Sequence, residues 1–231
     1  MQAVILAAGR GTRMKELTDD TPKPLLQVDG VTLLHHKLAE LPEFIDEVIF
    51  VVGYHGDKIR EAFGSMHEGH SMKYVEQTDL NGTMGALALA KDLIKDRFIV
   101  MMGDDLYSRE DVRSVAEAGD WAILVAPTEH MGSGGRMIIE DGKVLAIEEG
   151  NYEGQAGVMN TNMFALDKRL FDHPMVPKSA GSNEYGLPQT VLPAARAAGI
   201  PLHALNATFW FQITAPEDLA AAEAELKSRS R

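Results

Sequence analysis

The sequence predicts an α/β fold, a mostly parallel mixed β-sheet flanked by helices, with a small β-rich lid in its second half. Three observations predict it. Short continuous apolar runs recur at residues 3–7, 47–52, 98–102, 122–126, 144–147 and 202–205. Between them lie stretches with apolar residues three and four apart, the period of a helix with one buried face. Short strand-like segments with Gly-rich connections then fill residues 132–165. Continuous apolar strands alternating with helices are the pattern of parallel strands covered on both faces.

The elements follow in order. The first strand, 3–7, runs directly into a Gly-rich turn. Helical periodicity marks 33–41, 58–63, 84–94 and 110–118. Beyond residue 127, Met137-Ile138-Ile139 and Val144-Leu145-Ala146 flank Asp141-Gly142, a pair suited to the positive φ angles of a two-residue hairpin turn. Residues 187–198 and 216–227 read as helices, the second announced by Pro216 after Thr214-Ala215. No linker, low-complexity tract or internal repeat interrupts the chain, so 1–231 reads as one unit with halves at about 1–127 and 128–231.

Composition narrows the function. With 231 residues and 45% hydrophobic content the chain can build a substantial core. It has no cysteine, which excludes disulfides, cysteine zinc sites and thiol catalysis. The 34 acidic residues outnumber 22 basic ones, giving a net charge of −12 and no basic surplus for a nucleic-acid backbone. No window approaches 18 uninterrupted apolar residues, and no basic segment precedes an apolar one at the start, so neither a membrane span nor secretion is expected; the expected location is cytoplasmic. The charge balance reverses locally: Arg10, Arg13, Lys15 and Lys23 face only Glu16, Asp19 and Asp20. A small cationic patch on an acidic protein suits a small phosphorylated ligand.

Two motifs occupy that patch. Leu6-Ala7-Ala8-Gly9-Arg10-Gly11-Thr12-Arg13-Met14 follows the first strand, where ligands bind in open α/β sheets. Gly9 and Gly11 permit close backbone approach and offer amide N–H groups to phosphate oxygens, and Arg13 adds a planar bidentate donor. A dinucleotide fingerprint fails because its third glycine falls at Met14, and no Gly-Lys-Ser/Thr follows for a Walker loop. The second motif is Thr21-Pro22-Lys23-Pro24-Leu25-Leu26. Its prolines favour extended flanking backbone, which keeps Lys23 out of a helix.

Together, residues 6–14 and 21–26 resemble the signature of the sugar-1-phosphate nucleotidyltransferases, the pyrophosphorylases that make nucleotide sugars. The resemblance implies a Rossmann-like fold of the nucleotide-diphospho-sugar transferase type. It implies that residues 6–9 and 11–13 hold a triphosphate, that Arg13 stabilises departing pyrophosphate, and that Lys23 contacts the α-phosphate. Further along, Gln77 and Gly82-Thr83-Met84-Gly85 resemble the family's base-reading segment. A glutamine amide pairs with both a donor and an acceptor on a pyrimidine edge, and the resemblance implies UTP or dTTP as the nucleotide. Thr83 also reads as the cap of the helix that follows. Met101-Met102-Gly103-Asp104-Asp105 ends an apolar strand in two carboxylates; by resemblance Asp104 is the Mg²⁺ ligand, and Asp105 reads as a turn or cap residue.

In motif order the second half is similar to the N-acetylglucosamine-1-phosphate uridyltransferase domain. The resemblance assigns sugar contacts to Gly135, Glu149 and Asn160, and matches Asn183-Glu184-Tyr185 to a Glu-Tyr motif ahead of a helix. Two departures stand out. Many hexose-1-phosphate enzymes carry Glu-Lys-Pro where this chain has Glu149-Gly150-Asn151, leaving Lys168 or Arg136 as replacement for the lysine. Gln212, in Trp210-Phe211-Gln212, stands where a second metal-binding Asp or Asn is expected; its neutral carbonyl predicts weaker metal binding. No hexapeptide repeat is present, so the family's left-handed β-helix is not expected.

The expected reaction joins a nucleoside triphosphate to a sugar-1-phosphate and releases pyrophosphate, with Mg²⁺ as cofactor. Three rivals are a cytidylyltransferase for a phosphorylated alcohol or amine such as phosphocholine, a nucleotide-sensing paralogue weakened at Gln212, and a dinucleotide oxidoreductase. CTP use, nucleotide binding without turnover, and NAD(P) binding respectively distinguish them.

Overall fold

The computed structural model describes residues 1–229, the side chains at positions 133 and 134 excepted. In chain order it has β1 (Gln2–Ala7), β2 (Gln27–Val28), β3 (Val31–Thr32), α1 (Leu33–Ala39), β4 (Glu47–Val52), α2 (Gly56–Phe63), β5 (Met66–His67), β6 (His70–Glu76) and α3 (Thr83–Leu89). Then follow β7 (Phe98–Met102), β8 (Asp105–Tyr107), α4 (Arg109–Glu117), β9 (Trp121–Thr128), β10 (Ser133–Glu140), β11 (Lys143–Asn151) and β12 (Gly157–Leu166). The last four are α5 (Leu187–Ala198), β13 (Leu202–Asn206), β14 (Trp210–Gln212) and α6 (Glu217–Arg229).

Ten strands form one sheet in the order β10-β11-β13-β9-β12-β7-β1-β4-β6-β5. β1 is parallel to β4 on one side and β7 on the other, with Val4 opposite both Ile49 and Val100. All six residues of β1 and of β4 are buried, as their continuous apolar sequences predict. Alternate side chains serve opposite faces. Val4 and Leu6 pack with Met84, Leu87, Leu187 and Val191 of α3 and α5. Ala3, Ile5 and Ala7 pack with Leu34, Leu38, Ile59, Phe63, Val112 and Val115 of α1, α2 and α4. Each large apolar side chain so buried contributes about 1.5–3 kcal/mol. A third cluster joins Met14, Leu26 and Leu33 to Phe209, Ile213 and Ala222, and so fastens the chain's two opening motifs to its C-terminal segment.

The separate lid is corrected by the sheet. β10 and β11 do form the expected hairpin, with Asp141 and Gly142 at φ 49° and 71°, but they continue the main sheet at its edge. β12 enters the middle of the sheet, antiparallel to both β9 and β7, with Phe164 opposite Ile123 and Val100. Met163, Phe164, Ala165 and Leu166 are fully buried there. The strand-like segments expected over 132–165 include this one; what differs is its place, at the centre of the main sheet and not beside it. No strand was expected at β6, which is half-buried near the other edge of the sheet. No helix among the described residues is long and apolar enough to cross a membrane, and the described residues form no left-handed β-helix.

Candidate active site

The carboxyl ends of β1, β4 and β7 lie side by side, with Ala7 opposite Val52 and Leu6 opposite Met102. The loop after β1 leaves from this edge. Gly11 has φ 64°, and a Cβ there would stand 2.9 Å from Lys23 Cβ and 3.2 Å from Thr18 Cγ2. Its glycine therefore serves contact within the protein. Gly9 differs: a Cβ there would meet no atom within 4 Å, so this position is open to whatever enters the adjoining cavity.

Lys23 does enter a short 3-10 turn, contrary to the extended reading. Pro22 is extended (φ −64°, ψ 140°), and the turn then closes through the N–H groups of Leu25 and Leu26, at 2.8 and 3.0 Å. Pro24 has no N–H to give, and this turn asks none of it. The Lys23 ammonium lies 2.5 Å from Asp104 Oδ2 and donates to the carbonyl of Ile213. One buried amine thus joins the opening motif, the end of β7 and the segment after β14. Asp218 shapes that last segment, accepting from the N–H groups of Thr214 and Ala215 at 2.6 and 2.8 Å.

Asp105 is neither turn nor cap residue. It starts β8, pairs in register with Gln212 of β14, and is buried with the Trp210 indole donating to it at 3.1 Å. Ser108 caps α4 instead. Behind Asp105, the wholly buried Lys37 amine donates to the Asp105 carbonyl at 2.6 Å and lies 4.4 Å from the centre of the Tyr107 ring. Burial raises the Asp105 carboxyl and depresses the Lys37 amine. This cluster backs the Gly103-Asp104 turn, and sequence reasoning missed it because Lys37 reads as an ordinary polar helix position.

Two cavities adjoin along Leu6, Gly9 and Met102. The smaller, about 230 Å³, is lined by Ala7, Gly11, Thr12, Arg13, Lys23 and Asp104 among others. Arg10 and Lys15 stay outside it, Arg10 lying over the Tyr54 ring at 6.0 Å. The larger, about 390 Å³, takes Ala8, Gln77, Gly82, Thr83, Gly135, Glu149, Asn160 and Gln212. The residues assigned from the sequence to triphosphate, base, sugar and metal contacts therefore all line one cavity or both. Asp104 and Gln212 lie in different cavities, although Gln212 pairs with the neighbour of Asp104.

Gln77 is buried, and its amide donates to Asn81 Oδ1 at 3.1 Å. Gly82 (φ 95°) packs against Tyr185, whose carbonyl oxygen a Cβ would meet at 2.4 Å. Gly82, not Thr83, is the cap residue of α3; the Thr83 hydroxyl instead accepts from the Leu187 N–H at 2.9 Å, because α5 packs alongside. On the other wall, Gln189 donates to Glu149 Oε1 at 2.7 Å and Asn160 to Asn162 Oδ1 at 2.9 Å. Neither proposed replacement for the missing lysine lines a cavity. Lys168 is exposed on a 3-10 turn. Arg136 is drawn aside by Glu148 at 2.8 Å and by the Tyr152 ring at 4.6 Å. Lys178, Glu184, Tyr185, Asn162 and Gln189 also line the larger cavity. Of these, Glu184 and Tyr185 carried a sequence signal through the Glu-Tyr motif.

The family model described as nucleotidyl transferase matches residues 2–227. This chain belongs to that family. The resemblance drawn from residues 6–14 and 21–26 is thereby borne out. Among relatives, it is 28% identical to a protein of Haloferax volcanii named UTP–glucose-1-phosphate uridylyltransferase AglF, covering 100% of this chain and 98% of that one. It is 25% identical to the bifunctional protein GlmU of Methanocaldococcus jannaschii, covering 96% of this chain and 53% of that protein. It is 30% identical to a bifunctional IPC transferase and DIPP synthase of Archaeoglobus fulgidus, covering 99% and 44%. The chain thus spans about half the length of such bifunctional relatives. Its fold is shared with a Bacillus anthracis structure described as a glucose-1-phosphate thymidylyltransferase (TM-score 0.84, 24% identity, 97% and 94% covered). It is also shared with the inositol-1-phosphate CTP transferase of T. maritima (TM-score 0.76, 21% identity, 99% and 95% covered). For a nucleotidyl transferase of this fold, Gln212 on β14 and Gly150-Asn151 on β11 remain the departures to be accounted for.

Proposed function

We propose that this nucleotidyl transferase joins a nucleoside triphosphate, UTP or dTTP, to a sugar-1-phosphate, forming a nucleotide sugar and releasing pyrophosphate. The observation that carries the reading is the pair of adjoining cavities. A cationic, glycine-bordered one holding Lys23 and Asp104 meets, along Leu6, Gly9 and Met102, a polar one lined by Gln77, Glu149 and Asn160.

A sugar-1-phosphate has a second pKa near ~6 and is already largely ionised at neutral pH. The attacking oxygen therefore needs no general base, and the protein acts by positioning two polyanions and offsetting their charge. Arg13 and the amides of residues 9–12 hold the β- and γ-phosphates, and Arg13 steadies pyrophosphate as it leaves. Lys23 follows the α-phosphate as negative charge shifts toward the leaving group. Two prolines and the Asp104 and Ile213 contacts hold the amine at the cavity wall before substrate arrives. Gln77 reads the pyrimidine edge, Gly82 admits the flat base, and Gly135, Glu149 and Asn160 meet the sugar.

The donor set fits Mg²⁺ carried in largely by the nucleotide. Asp104 offers one carboxylate, 26% exposed, at the wall of the phosphate cavity, and the described residues contain no group of three acidic or histidine side chains suited to a metal. Mg²⁺ retains waters and phosphate oxygens readily under such a set. Asp104 would hold it, with the Gln212 carbonyl as a neutral second donor, and it supplies charge neutralisation of the triphosphate.

The test is a matrix of pyrophosphate release. UTP, dTTP, CTP, GTP and ATP are each offered with glucose-1-phosphate, N-acetylglucosamine-1-phosphate, mannose-1-phosphate, inositol-1-phosphate and phosphocholine, with and without Mg²⁺. Release with UTP or dTTP and a sugar phosphate supports the reading. Release confined to CTP with a non-sugar phosphate replaces it with the cytidylyltransferase, and nucleotide binding with no release replaces it with the sensor.

A further inference from the structure

The larger cavity has an unbalanced charge lining. Glu149 and Glu184 bring two carboxylates, and among the described residues that line it Lys178 is the one cation. A phosphate monoester entering such a space is repelled by both carboxylates unless a cation meets it. Neither Arg136 nor Lys168 lines the space.

Lys178 is well held for that work. It sits on a short hairpin whose Lys178 N–H donates to the Glu184 carbonyl at 2.8 Å and whose Gly186 N–H donates to the Val176 carbonyl at 3.1 Å. Pro177 and Tyr185 bridge across it, and Gly181 turns it at φ 76°. The hairpin is docked on the base-reading segment: the Tyr185 N–H donates to the Asn81 carbonyl at 2.7 Å, and the Tyr185 carbonyl accepts from Met84 at 3.0 Å. The lysine backbone is thereby fixed relative to Gly82 and Gln77. Its ammonium is not committed elsewhere. The nearest acid, Glu184, is 3.8 Å away, and both side chains are more than half exposed, at 60% and 54%. A pair of that kind contributes little to stability, so the charge is available to a ligand.

We propose that Lys178 binds the phosphate of the acceptor, supplying from the hairpin before α5 the charge that β11 lacks at Gly150-Asn151. The proposal rests on the sugar-1-phosphate reading above and names a residue of its acceptor subsite. It also fixes the ligand class: the acceptor must carry a phosphate, and the unphosphorylated sugar or polyol loses this contact.

The test uses the full chain, with the donor and acceptor that give the fastest pyrophosphate release in the matrix above. Lys178→Ala should raise the acceptor KM about 10- to 100-fold, the range for losing a charged contact, with the triphosphate KM and the unfolding midpoint unchanged. Lys178→Arg should recover most of the loss. Competition by the unphosphorylated acceptor should be equally weak in the parent and in Lys178→Ala, because neither makes the phosphate contact with it. An acceptor KM within about twofold of the parent overturns the assignment, as does an equal rise in the triphosphate KM, which would put Lys178 on the nucleotide. If the unsubstituted chain releases pyrophosphate with no pair, the underlying reading fails first, whereas normal release with an unmoved acceptor KM sinks Lys178 alone.

Discussion

Gly11→Ala separates two roles that glycine plays in the opening loop. Residue 11 has φ 64°, and a side chain there costs about 1–2 kcal/mol for the left-handed backbone alone. The new methyl would stand 2.9 Å from Lys23 Cβ, closer than real Cβ contacts allow, and 3.2 Å from Thr18 Cγ2. Lys23 Cβ cannot swing away as the end of a flexible side chain would, because Pro22 and Pro24 hold its backbone. Overpacking of this kind adds about 1–3 kcal/mol. The sum is about 2–5 kcal/mol, which for a chain of this size lowers the unfolding midpoint by about 4–20 °C. The amine also moves relative to Asp104 and Ile213, and a displacement near ~1 Å at a reacting centre costs about 100-fold in rate. Gly9→Ala is the control. Its methyl meets nothing within 4 Å and its φ is not in the left-handed region, so stability should hold or rise by about 0.4–1 kcal/mol. That methyl instead enters the space left for phosphate, so the triphosphate KM should climb. Differential scanning calorimetry with steady-state pyrophosphate release reads both effects. A Gly11→Ala protein with unchanged midpoint and unchanged kcat would show that the Gly11–Lys23 packing has no role in placing the amine.

Three further outcomes are expected. Lys23→Ala should lower kcat by about 10²–10³ with the fold intact by circular dichroism, because a charge aimed at the transition state is lost; near-normal turnover would remove Lys23 from the mechanism. Gln212→Asp restores a charged ligand beside the β8–β14 ladder, so the Mg²⁺ concentration for half-maximal activity should fall about tenfold, and an unchanged or higher requirement would exclude position 212 from the metal site. Asp167 accepts two bonds from the Arg169 guanidinium at 2.9 and 2.6 Å and one from the Trp121 indole at 2.9 Å, with the Arg169 bonds the largest cause holding its pKa down at about 2. A carboxyl depressed in the folded state stabilises it fully above its unfolded pKa, near ~3.9, and loses that contribution as pH falls through about 2. Denaturant melts should show Asp167→Asn less stable than the parent by about 1–2 kcal/mol at pH 6, after allowance for the exposed arginine, with the gap closing between pH 4 and 2. A gap independent of pH would mean the carboxylate charge is not what the site uses.

What could be read in advance follows from where the information is local. The strands at 3–7, 47–52 and 98–102 were legible because burial on both faces demands uninterrupted apolar sequence, and β1, β4 and β7 are buried in just that manner. The hairpin at Asp141-Gly142 was legible because positive φ at two successive positions restricts residue choice. The place of β12 was not, because strand order in a sheet depends on long-range pairing: nothing near Phe164 states that its neighbours are Ile123 and Val100. The site divides the same way. Gly9, Lys23 and Asp104 stand in short spaced motifs, whereas Lys37 is an unremarkable helical lysine until α1 is laid against β8. Arg136 and Lys168, the replacements expected for the missing lysine, lie outside both cavities. The larger cavity instead takes Lys178, brought in from a hairpin that docks on the opposite wall through Tyr185.

The contacts of Lys23 also explain why so acidic a chain can keep a cationic site without a dense cluster of basic residues. The amine is buried, and a buried charge is costly unless its hydrogen bonds are met. Asp104, 81 positions along the chain, and the Ile213 carbonyl, 190 positions along, meet them. Each partner belongs to a different part of the fold, so the site forms only when the opening motif, the end of β7 and the segment after β14 have all come together. The third apolar cluster, with Met14 and Leu26 against Phe209 and Ile213, drives that association independently of the charge. Hydrophobic packing therefore assembles the frame, and the lysine samples whether the frame is correct. It follows that trimming this cluster, as in Phe209→Ala, should depress kcat beyond what lost stability accounts for, because the Ile213 carbonyl and the amine it fixes drift together. Activity measured well below the variant's unfolding midpoint, with unfolding tracked in the same buffer, distinguishes this from simple loss of folded protein. A variant that is fully folded at the assay temperature and turns over at the parent rate would show that the cluster does not transmit position to Lys23.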